Sequence, residues 1–246
     1  MPEIFLNCDL GEWESRSQTA ELMTHLHMAN IACGGHAGDR QSILDCAELA
    51  ENRKPIAVST GAHPGVSSED RGRSLPYDFS PEKFREILEL QIQRFIGAAD
   101  LNHIKLHGAL YHLVETDEIY RKAYLDFVRS RCLISIVCLA GGKVAAEADE
   151  RSMPTIPEVF LDRHYAADGS LLPRTHPHAS LSSVSEVVER LEQITSQNSL
   201  TAFDGSIIKL PGHCDFITAC VHSDSPNSLE ILKAAKAHLD QLNSDS

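Results

Sequence analysis

The chain lacks the features that mark several large protein classes. No apolar run approaches the roughly 20 residues needed to cross a bilayer. The opening residues, MPEIFLNCDL, have neither the basic region nor the apolar core of a signal peptide. Basic residues are few: 22 Lys and Arg stand against 35 Asp and Glu, giving a net charge of −13. That balance argues against nucleic acid or an anionic membrane as a partner, since both need clustered positive charge. The seven cysteines contain no C-x-x-C pair, their number is odd, and several lie in apolar runs such as CLISIVCLA. They read as reduced, buried thiols, so a cytoplasmic location is expected and a zinc–cysteine site is not. G-x-S-x-G and G-x-G-x-x-G are missing, and so is the P-loop. The only Gly-Lys pair, in AGGKVA, lacks the upstream glycine and the following Ser or Thr.

What is present is a regular alternation. The 246 residues are 42% hydrophobic, enough for a sizeable core, and no composition break divides them. One domain is expected over 1–246, with only the last residues frayed. Strands are expected at EIFLNC (3–8), HMANIAC (27–33), PIAVST (55–60), HIKLH (103–107), CLISIVCLA (132–140), TIPEVFL (155–161) and FITACVH (216–222). Helical stretches lie between them. DRQSILDCAELAENR places Ile43, Leu44, Ala47 and Ala50 on one face. SPEKFREILELQIQRFIGAAD opens with Ser80 as N-cap and Pro81 at the first helical position, and Phe84, Leu88, Ile92, Phe95 and Ile96 form its stripe. TDEIYRKAYLDFVRSR, VSEVVERLEQITSQ and SPNSLEILKAAKAHLDQL complete the set. Alternation of this kind implies an α/β fold with a parallel sheet, either a closed barrel or an open doubly wound sheet.

The polar residues fall at one end of these strands. Strand one runs out into Asn7, Asp9 and Glu12, and strand two into His36 and Asp39. Strand three ends at His63, strand four delivers Lys105 and His107, strand six Asp162 and Arg163, and the last strand His222 and Asp224. In parallel α/β folds the carboxyl ends of the strands converge on one face, which carries the site. A single such histidine would be an ordinary structural one; four at successive strand ends point to a pocket. The glycines of NIACGGHAGD let that loop fold close over it. His25, His27, His103, His112, His164, His176, His178, His213 and His238 are expected to be solvated or capping. Asp9 with His36 and His63 could bind a divalent metal, leaving a position open for water. The same residues without metal could serve as general base and oxyanion donors.

LNCDLGE, NIACGGHAGD, GAHPG, LHGALYH, EVFLDRHYAADGSLLPR and CVHSD, in this order, resemble the LamB/YcsF family. The resemblance runs from Leu6 to beyond Asp224 and implies a seven-stranded parallel β/α barrel, TIM-like and similar to polysaccharide deacetylases. It also implies ATP-dependent opening of the lactam of 5-oxoproline to L-glutamate, shared with two partner subunits. Without a P-loop here, ATP with magnesium is assigned to the partners and lactam hydrolysis to this chain. Asp9, His36, His63, Lys105 and His107 are then the expected catalytic residues. Asn7, Glu12, Asp39, Arg73, Asp162, Arg163, His222 and Asp224 are expected to bind the small-molecule substrate. The chain departs from the family pattern at Trp13, at Gly35, around Arg73 and at Ser223, which bears on substrate fit. A stand-alone metal-dependent amide hydrolase or deacetylase, or a regulatory subunit that only binds a ligand, are the alternatives; a homo-oligomer is compatible with all of them.

Overall fold

The computed structural model describes residues 3–67, 69–131, 134–212 and 215–244. Seven parallel strands close into a barrel: β1 (Glu3–Leu10), β2 (Met28–Ala32), β3 (Ser59–His63), β4 (His103–Lys105), β5 (Ser135–Leu139), β6 (Thr155–Phe160) and β9 (Phe216–His222). The ring closes because β9 pairs with both β6 and β1. Around it lie α1 (Arg16–Met23), α2 (Arg40–Asn52), α3 (Pro81–Ile96), α4 (Gly108–Thr116), α5 (Glu118–Arg129), α6 (Lys143–Glu150), α7 (Val184–Gln197) and α8 (Ser228–Ser244). A small antiparallel hairpin of β7 (Ser199–Thr201) and β8 (Ile207–Lys209) stands beside the barrel sheet. Among the described residues no helix is long and apolar enough to cross a membrane.

Strand alternation sorts the side chains into two compartments. On β1, Ile4, Leu6, Cys8 and Leu10 join the main apolar core shared with the helices. Phe5, Asn7 and Asp9 take the other face, into the barrel. The barrel floor is a second apolar cluster in which Met28, Val137 and Ile156 meet Phe5 and Phe216. Above that plug the interior turns polar. The register sets Asp9 beside Asn30, Asn30 beside Gly61 and Gly61 beside His103. A Cβ at Gly61 would lie 2.1 Å from His103 Cδ2, so the missing side chain makes room for an imidazole inside the barrel.

All seven expected barrel strands form, although β3 lies at Ser59–His63 rather than 55–60. Pro55 offers no N–H to a ladder and Ile56 is 71% exposed, whereas Ser59 pairs with Met28. Ser80 caps α3 as expected, accepting from Lys83 N, with Pro81 in the first turn. Phe84, Leu88, Ile92 and Phe95 are buried with Gln91, but Ile96 is 58% exposed. On α2, Ile43 and Ala50 are buried with Cys46, while Leu44 points outward at 37% exposure. The helices α1, α4 and α6 and the β7–β8 hairpin escape the periodic reading because each is only two or three turns or a few residues long.

Leu88 is fully buried on the barrel-facing side of α3. Leu88→Ala is expected to cost about 2–5 kcal/mol of unfolding free energy in urea titrations, and Ile96→Ala no more than about 0.5 kcal/mol. Equal losses at the two positions would contradict this assignment of the helix faces.

Candidate functional site

A network of buried amides forms the foundation of the site. Asn7 Nδ2 donates to Thr218 Oγ1 at 2.8 Å and to Glu158 Oε1 at 3.1 Å. Asn30 Nδ2 donates to Asn7 Oδ1 at 2.7 Å and to Asp9 Oδ1 at 2.9 Å, and Asn30 Oδ1 accepts from His103 Nε2 at 2.9 Å. Asn7, Asn30, Glu158 and Thr218 have no solvent exposure at all. Asn7 thus faces Glu158 and Thr218 rather than the open mouth. His103 is not the solvated or capping residue expected from sequence but part of this layer, and burial, joined by Lys105, lowers it to about 3.

One ammonium sits above the amides. Lys105 Nζ lies 2.9 Å from Asp9 Oδ1, 2.9 Å from Glu158 Oε1 and 3.1 Å from Cys220 Sγ, so its three donors are all engaged. Burial works against the charge, but Asp9 and the other two partners hold the Lys105 pKa well above its usual value. Burial would likewise raise Asp9, yet His63 and Lys105 hold it well below the carboxylate range. Glu158 is pushed up, because burial outweighs its share of the one cation. Its second oxygen, Oε2, has no hydrogen-bond partner among the described residues.

Three imidazoles and a carboxylate converge next to Asp9. His63 ends β3, with its Nε2 3.3 Å from Asp9 Oδ2 and 3.0 Å from His107 Nδ1. Glu12 Oε1, from the β1–α1 loop, lies 2.7 Å from His36 Nε2, 3.4 Å from His107 Nδ1 and 3.8 Å from His63 Nε2. The His36 and His107 rings stack at 3.5 Å, 2° from parallel. Gly72, at φ 77°, permits this stack: a Cβ there would lie 2.8 Å from His36 Cβ and 2.9 Å from His107 Cδ2. Burial, with help from His63, lowers His36 to about 3, and burial with His63 and His36 puts His107 well below its usual value. Burial also lifts Glu12 to about 7. Trp13 covers the outer side, its ring 6.2 Å from that of His36 and the Arg71 guanidinium 4.4 Å above it.

The remaining expected residues divide. His222 Nδ1 lies 3.0 Å from both oxygens of Asp162, which also accepts from His222 N at 2.9 Å and from the Ser225 hydroxyl. Arg73 pairs with Asp224 at 3.1 Å on the partly open rim. Asp39 and Arg163 serve the backbone instead. Asp39 is exposed and caps α2 by accepting from Ser42 N at 2.8 Å, and Arg163 donates to Ala179 O and Leu172 O. Among the cysteines, Cys220 rather than Cys8 or Cys33 touches an ionised group; the Sγ atoms of the other two approach backbone carbonyls. Cys132, Cys214 and His213 lie outside the described residues. Glu158, Asn30, His103 and Cys220 are the interior residues that sequence reasoning missed. Glu158 had a signal, a charged residue in the middle of a strand buried on both faces.

The metal-ligand grouping also differs from the expected Asp9, His36 and His63. Potential ligand atoms of Glu12, His36, His63 and His107 all lie within 4.8 Å of one another, and Asp9 groups instead with Cys220 and His222. Asp9 is already engaged by Lys105 and Asn30.

Asp162 supplies a test of these charges. Burial acts to raise it, but His222, Ser225 and the His222 N–H hold it at about 2. A depressed carboxylate stabilises the fold fully above its unfolded pKa of about 3.9 and loses that contribution as pH falls towards about 2. Asp162→Asn is expected to remove about 2 kcal/mol of pH-dependent stability between pH ~4 and ~2, read from unfolding free energies across that window. An unchanged acid limb would mean that the His222 contact does not hold Asp162 ionised.

With this geometry in place, comparison with known proteins is specific. Residues 4–245 match the model of the LamB/YcsF family. A protein of Oceanobacillus iheyensis that is named as a 5-oxoprolinase subunit is 35% identical over 237 residues, covering 93% of this chain and 90% of its own length. A Pyrococcus abyssi protein of the same name is 34% identical, over 96% of this chain and 93% of its own. The crystal structure of a lactam utilization protein from Thermus thermophilus superposes with a TM-score of 0.84 at 28% identity, over 99% of this chain and 98% of that one. The chain belongs to the LamB/YcsF family.

Proposed function

We propose that this chain is the lactam-opening component of an ATP-dependent 5-oxoprolinase, working in the cytoplasm with two partner subunits to release L-glutamate. The observation that carries the reading is the Asp9 carboxylate fixed at the barrel mouth between the Lys105 ammonium and the His63 ring. The names of the relatives supply the substrate. The five described cysteines are all free and buried, which fits a reducing compartment.

The chemistry explains why the work is divided. An unstrained five-membered lactam is a poor electrophile. Transfer of a phosphoryl group from ATP to the lactam oxygen, with ADP released, prepares the ring carbon for water; the C–N bond then breaks with nitrogen leaving as the amine, and a second water displaces phosphate from the resulting acyl phosphate as the carboxylate forms. This chain contributes the hydrolytic half. Asp9 stays ionised at neutral pH and stands ready for the proton that water loses. Lys105 has no donor to spare for substrate, so its part is to fix Asp9. Arg73 and His222 at the rim suit the anionic carboxylate of 5-oxoproline.

ATP and its magnesium belong to the partners on this reading. The one Gly-Lys pair opens α6, and the anion position at that helix N-terminus is filled by Glu115, which accepts from Lys143 N at 2.6 Å and from Val144 N at 3.4 Å. The purified chain is therefore expected to show no micromolar affinity for MgATP by calorimetry; such affinity would overturn the division. In an assay that combines the chain with both partners, Asp9→Asn is expected to lower glutamate release from 5-oxoproline about 10²–10⁴-fold with the fold retained. Near-normal release would reduce Asp9 to a structural acceptor for Lys105 and Asn30.

A further inference from the structure

The tautomers of two histidines at the mouth are dictated by backbone carbonyls. His63 Nδ1 lies 2.8 Å from Lys105 O, and His107 Nε2 lies 2.9 Å from Arg71 O. A carbonyl can only accept, so each of these nitrogens carries the ring proton. The opposite nitrogens, His63 Nε2 and His107 Nδ1, therefore present lone pairs, and they face each other at 3.0 Å. Two neutral imidazoles cannot hydrogen-bond in that arrangement. Something positive has to lie between them, either a proton or a metal ion.

We propose that Glu12, His36, His63 and His107 form a binding site for one divalent transition-metal ion, with zinc the best match to the donor set. A shared proton answers only one nitrogen pair, whereas four ligand atoms converge here. Four of their six separations, 2.7, 3.0, 3.4 and 3.8 Å, straddle the ~3.3 Å edge of a tetrahedron with bonds of ~2.0 Å, and all six are within 4.8 Å. Three imidazoles and one carboxylate are a borderline set that suits zinc. Carbonyls that accept the outward N–H of a ligating histidine are the usual outer support of such sites, fixing tautomer and ring direction. His63 and His107 both have that support.

On the lactam reading, which the binding itself does not need, an ion held there would stand beside Asp9, whose Oδ2 lies 3.3 Å from His63 Nε2, and would supply the acidity that makes water a nucleophile near neutral pH.

Titration of the chelator-treated, full-length chain with Zn²⁺ or Co²⁺ alone tests the site without partners, ATP or turnover. One equivalent is expected to bind with a Kd below about 1 μM, and Co²⁺ to give the intense visible absorption of tetrahedral coordination. His36→Ala and His107→Ala should each weaken binding by more than about 100-fold, beyond the 10–100-fold typical of losing an outer partner. His112→Ala, on the exposed side of α4, should bind as the parent does. Circular dichroism checks the fold of each variant, and the parent's Co²⁺ spectrum stands whether or not a variant folds. No binding tighter than about 0.1 mM, or binding that survives loss of both His36 and His107, would overturn the proposal and leave a proton between the rings. Tight binding in a chain that releases no glutamate from 5-oxoproline when assayed with both partners and ATP would sink only the lactam reading.

Discussion

A single buried ammonium has to satisfy two carboxylates inside this barrel. Lys105 lies between Asp9 and Glu158 at 2.9 Å from each, with both acids essentially out of solvent. Desolvation of such ions costs several kcal/mol apiece, and their attraction offsets it only when the geometry is good and the remaining lone pairs are used. The layers beneath supply those uses. Asn30 donates to Asp9, Asn7 donates to Glu158, Thr218 accepts from Asn7, and His103 donates to Asn30. Gly61 lacks a side chain so that the His103 ring can lie there. Below this polar storey the barrel is sealed by the Met28, Val137 and Ile156 plug, which keeps the ion cluster dry from underneath. Apolar residues of similar volume in place of a buried ion pair are often no less stable. Keeping charges there makes sense if the site uses them.

How much of this is legible in the sequence depends on what each residue does with its polar atoms. The long helices and the ends of the strands announce themselves, because apolar period and strand-end position are local properties. Phe84, Leu88, Ile92 and Phe95 follow from spacing alone, and Asp9, His63, Lys105 and His222 follow from standing where strands run out. Spacing does not tell which face of a strand looks into the barrel. Glu158 and Cys220 lie within runs that read as uniformly buried, and only closure of the ring brings them to Lys105. Asp39 and Arg163 fail in the opposite way. Their residue types and positions match those of site residues, but one satisfies a helix terminus and the other backbone carbonyls, a choice set by loop geometry.

The loop after β3 shows how chemistry at the mouth is assembled from distant segments. Arg71 holds His107 through its carbonyl and stacks its guanidinium on Trp13, which follows β1. The same loop brings Gly72 against both stacked imidazoles. Segments following β1, β2, β3 and β4 therefore share one small volume, and the burial that results lowers the pKa values of His36 and His107.

Charge on the molecule as a whole points away from an anionic substrate, yet the mouth need not. The net charge of −13 belongs to the chain as a whole, and at physiological ionic strength fields decay within about 8 Å. What an approaching carboxylate meets is local: the Arg73 and Arg71 guanidiniums at the rim, with Asp224 already paired to the first. Inside, Asp9 and Glu158 are matched against Lys105, and a cation among the histidines would offset negative charge that Lys105 alone does not balance. On the proposed reading, binding of an anion and retention of an ionised Asp9 are thus compatible only because positive groups stand between them. The order from rim to floor (arginine, histidine cluster, aspartate, lysine, amides, apolar plug) separates the two negative charges along the barrel axis.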